Sequence, residues 1–207
     1  IYNLFIWRRV STFFKKIFQL PQSSYVEIKS DFKFNVKKYW KVEKKINNFK
    51  TNIELLDCAK DKLFHGLKIR LRSDVPIAFC LSGGIDSGTL VSVAAKKFNL
   101  NVNTFSILDS LDIRYNEKKN IDLVVKDVSS NHHEINVNNI QNNSINLNKL
   151  KKLIEYKSAP IPTITYFLHS YLLDSISKNN CKVAMSGTAA DEVYSGYYDH
   201  HLQYLYD

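Results

Sequence analysis

The stretch from Val75 to Val93, VPIAFCLSGGIDSGTLVSV, decides how this chain folds. Seven mostly apolar residues, Val75 to Leu81, precede the turn SGGIDS, and apolar residues then return at three- and four-residue spacing. This order of patterns predicts a buried strand, a turn of small residues and a helix. Strands that alternate with helices form parallel sheets with helices on their faces.

The turn at residues 82–87 has the residue types that phosphate binding requires. The first N–H groups of a helix lack intrahelical partners, and the helix dipole favours an anion there. Two glycines let the backbone bend and an anion approach, two serines supply hydroxyl donors, and Asp86 could bind a metal ion that bridges to phosphate oxygens. The alternative is an ordinary strand-to-helix turn in which Ser and Asp are caps.

Two common nucleotide-binding motifs are missing from the sequence. It contains no G-x-x-x-x-G-K-[ST], so the lysine that contacts β- and γ-phosphates in many NTPases is absent, and it contains no G-x-G-x-x-G. Transfer of the γ-phosphate in the manner of a kinase is therefore disfavoured.

The formal charge of +9 is unevenly distributed. Residues 1–72 carry 17 Lys and Arg against 6 Asp and Glu, whereas residues 73–207 carry 12 against 14. The excess thus precedes the turn, which favours a solvated basic face over contact with a polyanion. Binding to nucleic acid is the least favoured of the functions considered.

Cysteine spacing and hydropathy indicate the cellular environment that we expect for the chain. Cys58, Cys80 and Cys181 share no CxxC spacing, so buried free thiols in a reducing compartment, and hence a cytoplasmic location, are expected. No apolar run approaches the ~20 residues of a membrane span. The opening segment Ile1–Trp7 is short and is followed by Arg8–Arg9, the reverse of a signal peptide. Because the chain begins with Ile, we expect a fragment.

The order of elements predicts an α/β unit behind a small β segment. Residues 25–28 and 32–36 alternate in polarity and predict a hairpin, and Thr51–Arg72 has helical periodicity. Beyond the turn, strands are predicted at 101–108, 133–137 and 181–185, helices at 116–129, 147–156 and 163–177, and an Asn-rich loop at 138–146.

A second turn rich in small residues and carboxylates follows the last predicted strand, in SGTAADEVYSGY at residues 186–197. Ligands of parallel α/β sheets bind at the carboxyl ends of strands. Two such turns could therefore face one nucleotide, with Asp86 and Asp191 holding Mg²⁺ between them. Taken alone, Asp191-Glu192 would be better explained as a pair of acids at a helix N-terminus.

These motifs resemble a known family. SGGIDS resembles the pyrophosphate loop of the N-type ATP pyrophosphatases (the PP-loop superfamily), and SGTAADEVYSGY resembles the second signature of the glutamine-hydrolysing asparagine synthetase family, SGxGADExxxGY. The shorter segments TFSI, NHHE and KVAMSG extend the resemblance over nearly the whole chain. The implied fold is a parallel, Rossmann-like sheet of the adenine nucleotide alpha hydrolase type with helices on both faces.

The resemblance also implies a domain arrangement. Residues 1–50 would be the C-terminal β remnant of a glutaminase (class II amidotransferase) domain, since Phe14–Pro21 and Lys38–Trp40 resemble its closing strands. Residues 51–207 would be the ATP-binding synthetase domain, truncated at its C-terminus. Nothing corresponds to the N-terminal cysteine of the glutaminase or to a later lysine that steadies the adenylate, so the fragment alone is expected to be inactive.

Residue by residue, the resemblance implies a site for ATP and Mg²⁺. The catalytic positions would be Asp86, Asp191 and Thr188, with Asp86 and Asp191 as metal ligands. The nucleotide would contact Leu81, Ser82, Gly83, Gly84, Asp86, Ser87, Ile107, Ser186 and Gly187. Two positions depart from the family: Thr188 stands where a glutamate is usual, and Asn116-Glu117 stands where many relatives have Asp-Glu.

The implied reaction is that of an ATP-dependent carbon–nitrogen ligase with glutamine as amide donor. A carboxylate, aspartate by default, is adenylated with release of pyrophosphate, and ammonia from the missing glutaminase domain then displaces AMP to give the amide. A sugar acid of surface polysaccharide synthesis is an alternative acceptor, because Thr188 cannot act as a general base. A non-catalytic nucleotide-binding module is the other alternative, and a homodimer without nucleic-acid or membrane partners is expected.

Overall fold

The computed structural model describes residues 12–41, 43, 49–108, 116–136 and 146–206. Contacts divide the chain into two compact units, residues 1–52 and residues 53–207. In the first unit, strands β1 (Ser24–Ile28) and β2 (Phe34–Lys38) form an antiparallel hairpin, with Val26 opposite Val36. The predicted hairpin is therefore present, whereas its origin in a glutaminase domain stays a prediction.

The second unit is built on a four-stranded, fully parallel sheet, which confirms the predicted α/β fold. Its strands are β3 (Ile77–Cys80), β4 (Asn103–Leu108), β5 (Asn131–Asn136) and β6 (Val183–Met185), in the order β5-β4-β3-β6. Its helices are α1 (Asn52–Arg70), α2 (Ile85–Ser92), α3 (Lys118–Val128), α4 (Leu147–Lys157), α5 (Ile164–Lys178), α6 (Ala190–Tyr194) and α7 (Tyr198–Tyr206).

Helices cover both faces of the sheet. Successive side chains along β3 point to opposite faces, and each packs against a different helix. Phe79 is buried against α2 and α3, whereas its neighbour Ala78 is buried on the opposite face against α5. One cluster contains Phe79, Leu81, Val91, Ala94, Val102 and Ile121, and the other contains Ala78, Phe105, Leu172, Ile176 and Cys181. Burial on two faces explains why the strand is apolar throughout.

The helix after the first turn changes its hydrogen bonding along its length. It is α-helical over α2 and becomes a π-helix at Val93–Lys97, where the N–H of Phe98 donates to the carbonyl of Val93 at 3.2 Å. Sequence periodicity predicted a single helix here and gave no sign of this change. The wider turn keeps Ala94 fully buried in the first cluster.

The order of strands creates a crevice at one edge of the sheet. The chain passes from β3 through β4 to β5 and then crosses to β6, on the other side of β3. The carboxyl ends of β3 and β6 therefore flank the point where the strand order reverses, which is where open α/β sheets bind ligands. The turns at residues 82–87 and 186–191 follow these two strands.

Strand β5 starts at Asn131, earlier than predicted, because the N–H of Asn131 donates to the carbonyl of Val102 and extends the ladder with β4. The predicted loop at 138–146, apart from Asn146, and the opening segment Ile1–Trp7 lie outside the described residues. Among the helices of the described part, none has the length and apolarity needed to cross a membrane.

Candidate functional site

A cleft of about 320 Å³ lies at the carboxyl ends of the strands. Its lining includes most of the predicted site residues, namely Leu81, Ser82, Gly84, Asp86, Ser87, Ile107, Ser186, Gly187 and Thr188. Gly83 and Asp191 are not part of the lining. Residues that are about 100 positions apart in sequence thus share one cavity.

The first turn is held in shape by its own two serines. The hydroxyl oxygens of Ser82 and Ser87 are 3.0 Å apart, the N–H of Ser82 donates to the Ser87 hydroxyl at 3.1 Å, and that hydroxyl donates to the carbonyl of Gly84 at 3.2 Å. Ser87 is buried, whereas Ser82 is exposed to the cleft. Both hydroxyls shape the turn, since that of Ser82 also accepts from the N–H of Gly84 at 3.3 Å, and both serines line the cleft.

Gly83 is required by the backbone and by packing, whereas its predicted contact with the nucleotide stays a prediction. Its φ is +88°, and a Cβ built on it would lie 2.7 Å from Cβ and 2.9 Å from the carbonyl oxygen of Glu117. The residue thus packs the turn against the start of α3, and only a glycine fits there. This contact also brings Glu117 to the cleft, which it lines.

The second turn contacts the first at Gly187. A Cβ on Gly187 would lie 3.0 Å from the Cβ of Asp86 and 3.0 Å from the backbone nitrogen of Ser87. A side chain at this position would require Asp86 and Ser87 to move by a few tenths of an ångström, so glycine lets the two turns approach this closely. The two motifs therefore form one continuous wall of the cleft.

The second turn also holds itself in place. The hydroxyl oxygens of Ser186 and Thr188 are 2.7 Å apart, and the N–H of Thr188 donates to the Ser186 hydroxyl at 3.2 Å. Ala189, which occupies the second glycine position of the signature, adopts a left-handed conformation with φ 77°. A left-handed alanine is strained, which explains why a glycine is favoured at that position.

The two predicted metal ligands have different surroundings. Asp86, in the first turn of α2, is half-buried and lines the cleft. The carboxylate of Asp191, in the first turn of α6, lies beside Gly196, whose N–H donates to the Asp191 carbonyl at 2.9 Å. The second carboxylate that lines the cleft is that of Glu117, which was noted in the sequence only as a departure from the family.

These carboxylates are compatible with magnesium, which binds proteins through one or two carboxylates and completes its shell with phosphate oxygens and water. Within the described residues, no group of three His, Cys, Asp or Glu side chains is arranged to hold a metal ion. Asp86 and Glu117 are the two described carboxylates that line the cleft.

The opposite wall of the cleft is mostly apolar. Cys80, Phe105, Ile107 and Leu172 form it together with the exposed ring of His169, which comes from α5. Burial raises the pKa of the Cys80 thiol, so this group stays protonated and behaves as an apolar surface. Sequence reasoning missed His169, because spacing within a helix does not reveal which polar residue faces a cleft.

The family model and the curated relatives that match this chain point to the same family. The family model described as asparagine synthase matches residues 59–206. Curated relatives include a putative glutamine-hydrolysing asparagine synthetase 2 of Methanocaldococcus jannaschii, 31% identical over 74% of this chain, and asparagine synthetase 1 of Bacillus subtilis, 28% identical over 90%. The amidase chyE of Penicillium rubens is 24% identical over 92% of the chain.

The matched regions are only part of those relatives. This chain covers 29%, 28% and 30% of their respective lengths. Among solved structures, an NH3-dependent NAD synthetase from Campylobacter jejuni in complex with nitrate superposes with a TM-score of 0.45 and 17% identity, over 68% of this chain and 60% of that chain.

Proposed function

The chain belongs to the asparagine synthase family, and on this premise we propose that it is the ATP-binding part of a ligase that converts a carboxylate into an amide. In this reaction a carboxylate oxygen attacks the α-phosphorus of ATP and pyrophosphate leaves. Ammonia then attacks the carbonyl carbon of the acyl-adenylate, and AMP leaves with the bonding electrons. Glutamine, hydrolysed by another domain, is the proposed source of the ammonia.

The observation that carries this proposal is the contact of Gly187 with Asp86 and Ser87. It joins the two signature turns into one wall, so that both can contact the same nucleotide. Negative charge develops on the departing pyrophosphate. Fixed N–H groups at the start of α2 and the Ser82 hydroxyl would stabilise that charge more in the transition state than in the ground state.

Magnesium would be held by Asp86, with Glu117 as the second carboxylate of the cleft, and would supply positive charge to the phosphate oxygens. The role of Asp191 as a second metal ligand, implied by the resemblance, stays part of this proposal, and its contact with Gly196 would support the second turn. The proposed roles of Asp86 and Asp191 can be tested separately by substituting each residue alone.

Thr188 limits what the second turn can do to the substrate carboxylate. Its hydroxyl is 2.7 Å from that of Ser186 and is only very weakly basic, so it can hydrogen-bond to a substrate carboxylate but cannot act as a general base as the usual glutamate could. The carboxylic acid substrate must therefore arrive already ionised. Aspartate is the first carboxylate to test, and a sugar acid is the second.

The test measures ATP binding by calorimetry and pyrophosphate–ATP exchange with each candidate carboxylate, using the intact protein. Asp86→Asn should weaken magnesium-dependent ATP binding by about tenfold or more, the scale of one lost charged contact. Asp127→Asn is the matched control, because Asp127 pairs with Lys96 on the surface at 2.5 Å and does not line the cleft.

Unchanged ATP binding by Asp86→Asn would refute the assignment of the cleft. A protein that binds ATP and catalyses no exchange with any carboxylate would instead support a non-catalytic nucleotide-binding module.

A further inference from the structure

A second cavity opens from the cleft and has a different character. This side groove, about 610 Å³ in volume, lies between α1, the start of α2 and the segment from Met185 to Tyr194. It shares Asp86, Ser186, Gly187 and Thr188 with the cleft. A molecule in the side groove would therefore have one end at the point where the two signature turns meet.

One face of α1 forms the far side of the groove. Lys62, Gly66 and Arg70 follow one another at four-residue spacing and so lie on one face of the helix, with Leu63 and Leu67 beside them. Gly66 leaves that face open, and Arg70 Nη1 donates to its carbonyl at 3.0 Å. This bond fixes the guanidinium along the groove and leaves its other N–H groups available to a ligand.

The charges in the groove are separated. Lys62 and Arg70 are exposed, and neither is paired with a carboxylate in the part of the chain that the structure describes. The one acidic side chain in the lining is Asp86, at the opposite end beside the cleft. The far end therefore favours an anion, whereas an ammonium group would find no carboxylate there.

The remaining lining of the groove is apolar. Ile85 and Val193 are 84% and 71% exposed, a high fraction for side chains next to a polar turn, and Leu90 and Met185 line the groove between them. Volumes of several hundred Å³ with apolar walls and a few polar groups are typical of sites for small organic ligands. The body of aspartate is too short and too polar to use these walls.

We propose that the side groove binds the substrate that is adenylated, and that this substrate is a carboxylic acid with an apolar body and a second anionic group that contacts Arg70 and Lys62. The proposal rests on the proposed function, because it places the reacting carboxylate at Thr188 beside the cleft. It favours a large dianionic substrate over aspartate.

The chain contains a single methionine, Met185, which lines the side groove, so one ¹³C-methyl resonance reports its occupancy. Azelate, a linear nine-carbon dicarboxylate, is the probe, and nonanoate and aspartate are the comparison compounds. Any initiator methionine is distinguished by the Met185→Leu variant. We expect azelate to shift this resonance saturably, and nonanoate and aspartate to bind at least about fivefold more weakly.

Arg70→Gln should weaken azelate about fivefold or more, and Arg70→Lys should lose less, since a cation remains. Lys68→Gln, on the same helix but outside the groove lining, should leave azelate binding unchanged. An unmoved Met185 resonance at about 10 mM azelate, or equal binding of nonanoate or aspartate, would overturn the proposal.

ATP binding, measured by calorimetry on the same samples, separates the two hypotheses. If ATP binds and azelate does not, the substrate class is wrong while the nucleotide cleft stands. If azelate binds and ATP does not, the groove is a binding site but the ligase assignment fails.

Discussion

At the scale of single residues, Gly83 and Gly84 are adjacent and yet differ in what a side chain would meet. At Gly83 the backbone is left-handed and a Cβ would overlap Glu117, whereas at Gly84 φ is −74° and the nearest atom is the Ser82 hydroxyl oxygen at 3.3 Å. Substitutions at these two positions therefore distinguish an effect on backbone packing from an effect on ligand binding.

We expect Gly83→Ala to lower the free energy of unfolding by about 2–5 kcal/mol, since left-handed strain costs ~1–2 kcal/mol and a forced contact in a packed region ~1–3 kcal/mol. Gly84→Ala should cost under about 1 kcal/mol, because an alanine N-cap lacks only a favourable cap. Urea denaturation followed by circular dichroism measures both. Equal losses in the two variants would contradict the packing role of Gly83.

The sequence predicted both glycines as residues that let a phosphate approach. It could not assign Gly83 to Glu117, because that contact joins positions 34 residues apart and depends on where α3 begins. The same limit applies to Glu117 itself, whose place in the cleft follows from this packing.

At the scale of elements, β5 carries the group whose titration should affect stability most directly. The His132 side chain is 9% exposed, and its Nδ1 lies 2.9 Å from the hydroxyl oxygen of Thr104 on β4. Burial lowers the pKa of His132 below its ordinary value of 6.5, with Lys118 and His133 acting in the same direction and Glu134 and Asp122 opposing them. The folded state thus favours the neutral ring.

The sign of the pH dependence follows from this lowered pKa. Between the folded pKa and 6.5 the unfolded chain binds more protons, so the contribution of His132 is fully present above pH 6.5 and is lost as the pH falls through this window. Each unit of lowering corresponds to about 1.4 kcal/mol.

We therefore expect unfolding free energy measured from pH 7.5 to 5 to fall less steeply for His132→Gln than for the wild type. His65→Gln, an exposed histidine on α1, should keep the slope of the wild type. A slope unchanged by His132→Gln would show that other groups control acid sensitivity.

Sequence periodicity located the central elements well, because β3, β4 and α5 bury side chains at a spacing that is visible in the sequence. It failed at their ends. The first residues of β5 are polar and join the sheet only through pairing with β4, and the short β6 is recognised as a strand by its partner β3.

At the scale of the whole molecule, every buried side chain of the described residues belongs to the second unit, from Leu67 to Cys181. The first unit has a two-stranded hairpin, which alone is marginal in water. Among the described residues, the buried core therefore lies within residues 53–207.

A chain that starts at Phe49 should consequently unfold cooperatively, with a free energy within about 0.5 kcal/mol of the full chain, as for distant changes that act independently. Urea denaturation of both chains measures it. A loss of several kcal/mol would show that residues 1–48 stabilise the second unit.

The parallel sheet and the meeting of the two signature turns could be anticipated because strand-helix alternation leaves few topologies and fixes the edge at which the turns emerge. The side groove and the position of His169 could not be anticipated, because both depend on the distance between packed helices. Side chains from several segments set that distance together.

The π-helical turn at Val93–Lys97 has a consequence for how this family can vary in length. A π turn holds one residue more than an α turn. Loss of one residue within it can be absorbed by reversion to ordinary helical bonding, leaving the turn at residues 82–87 and Leu100 in place. The same deletion within α2 would rotate every later side chain by about a quarter turn and expose the core. Natural single-residue gaps should therefore concentrate at this turn.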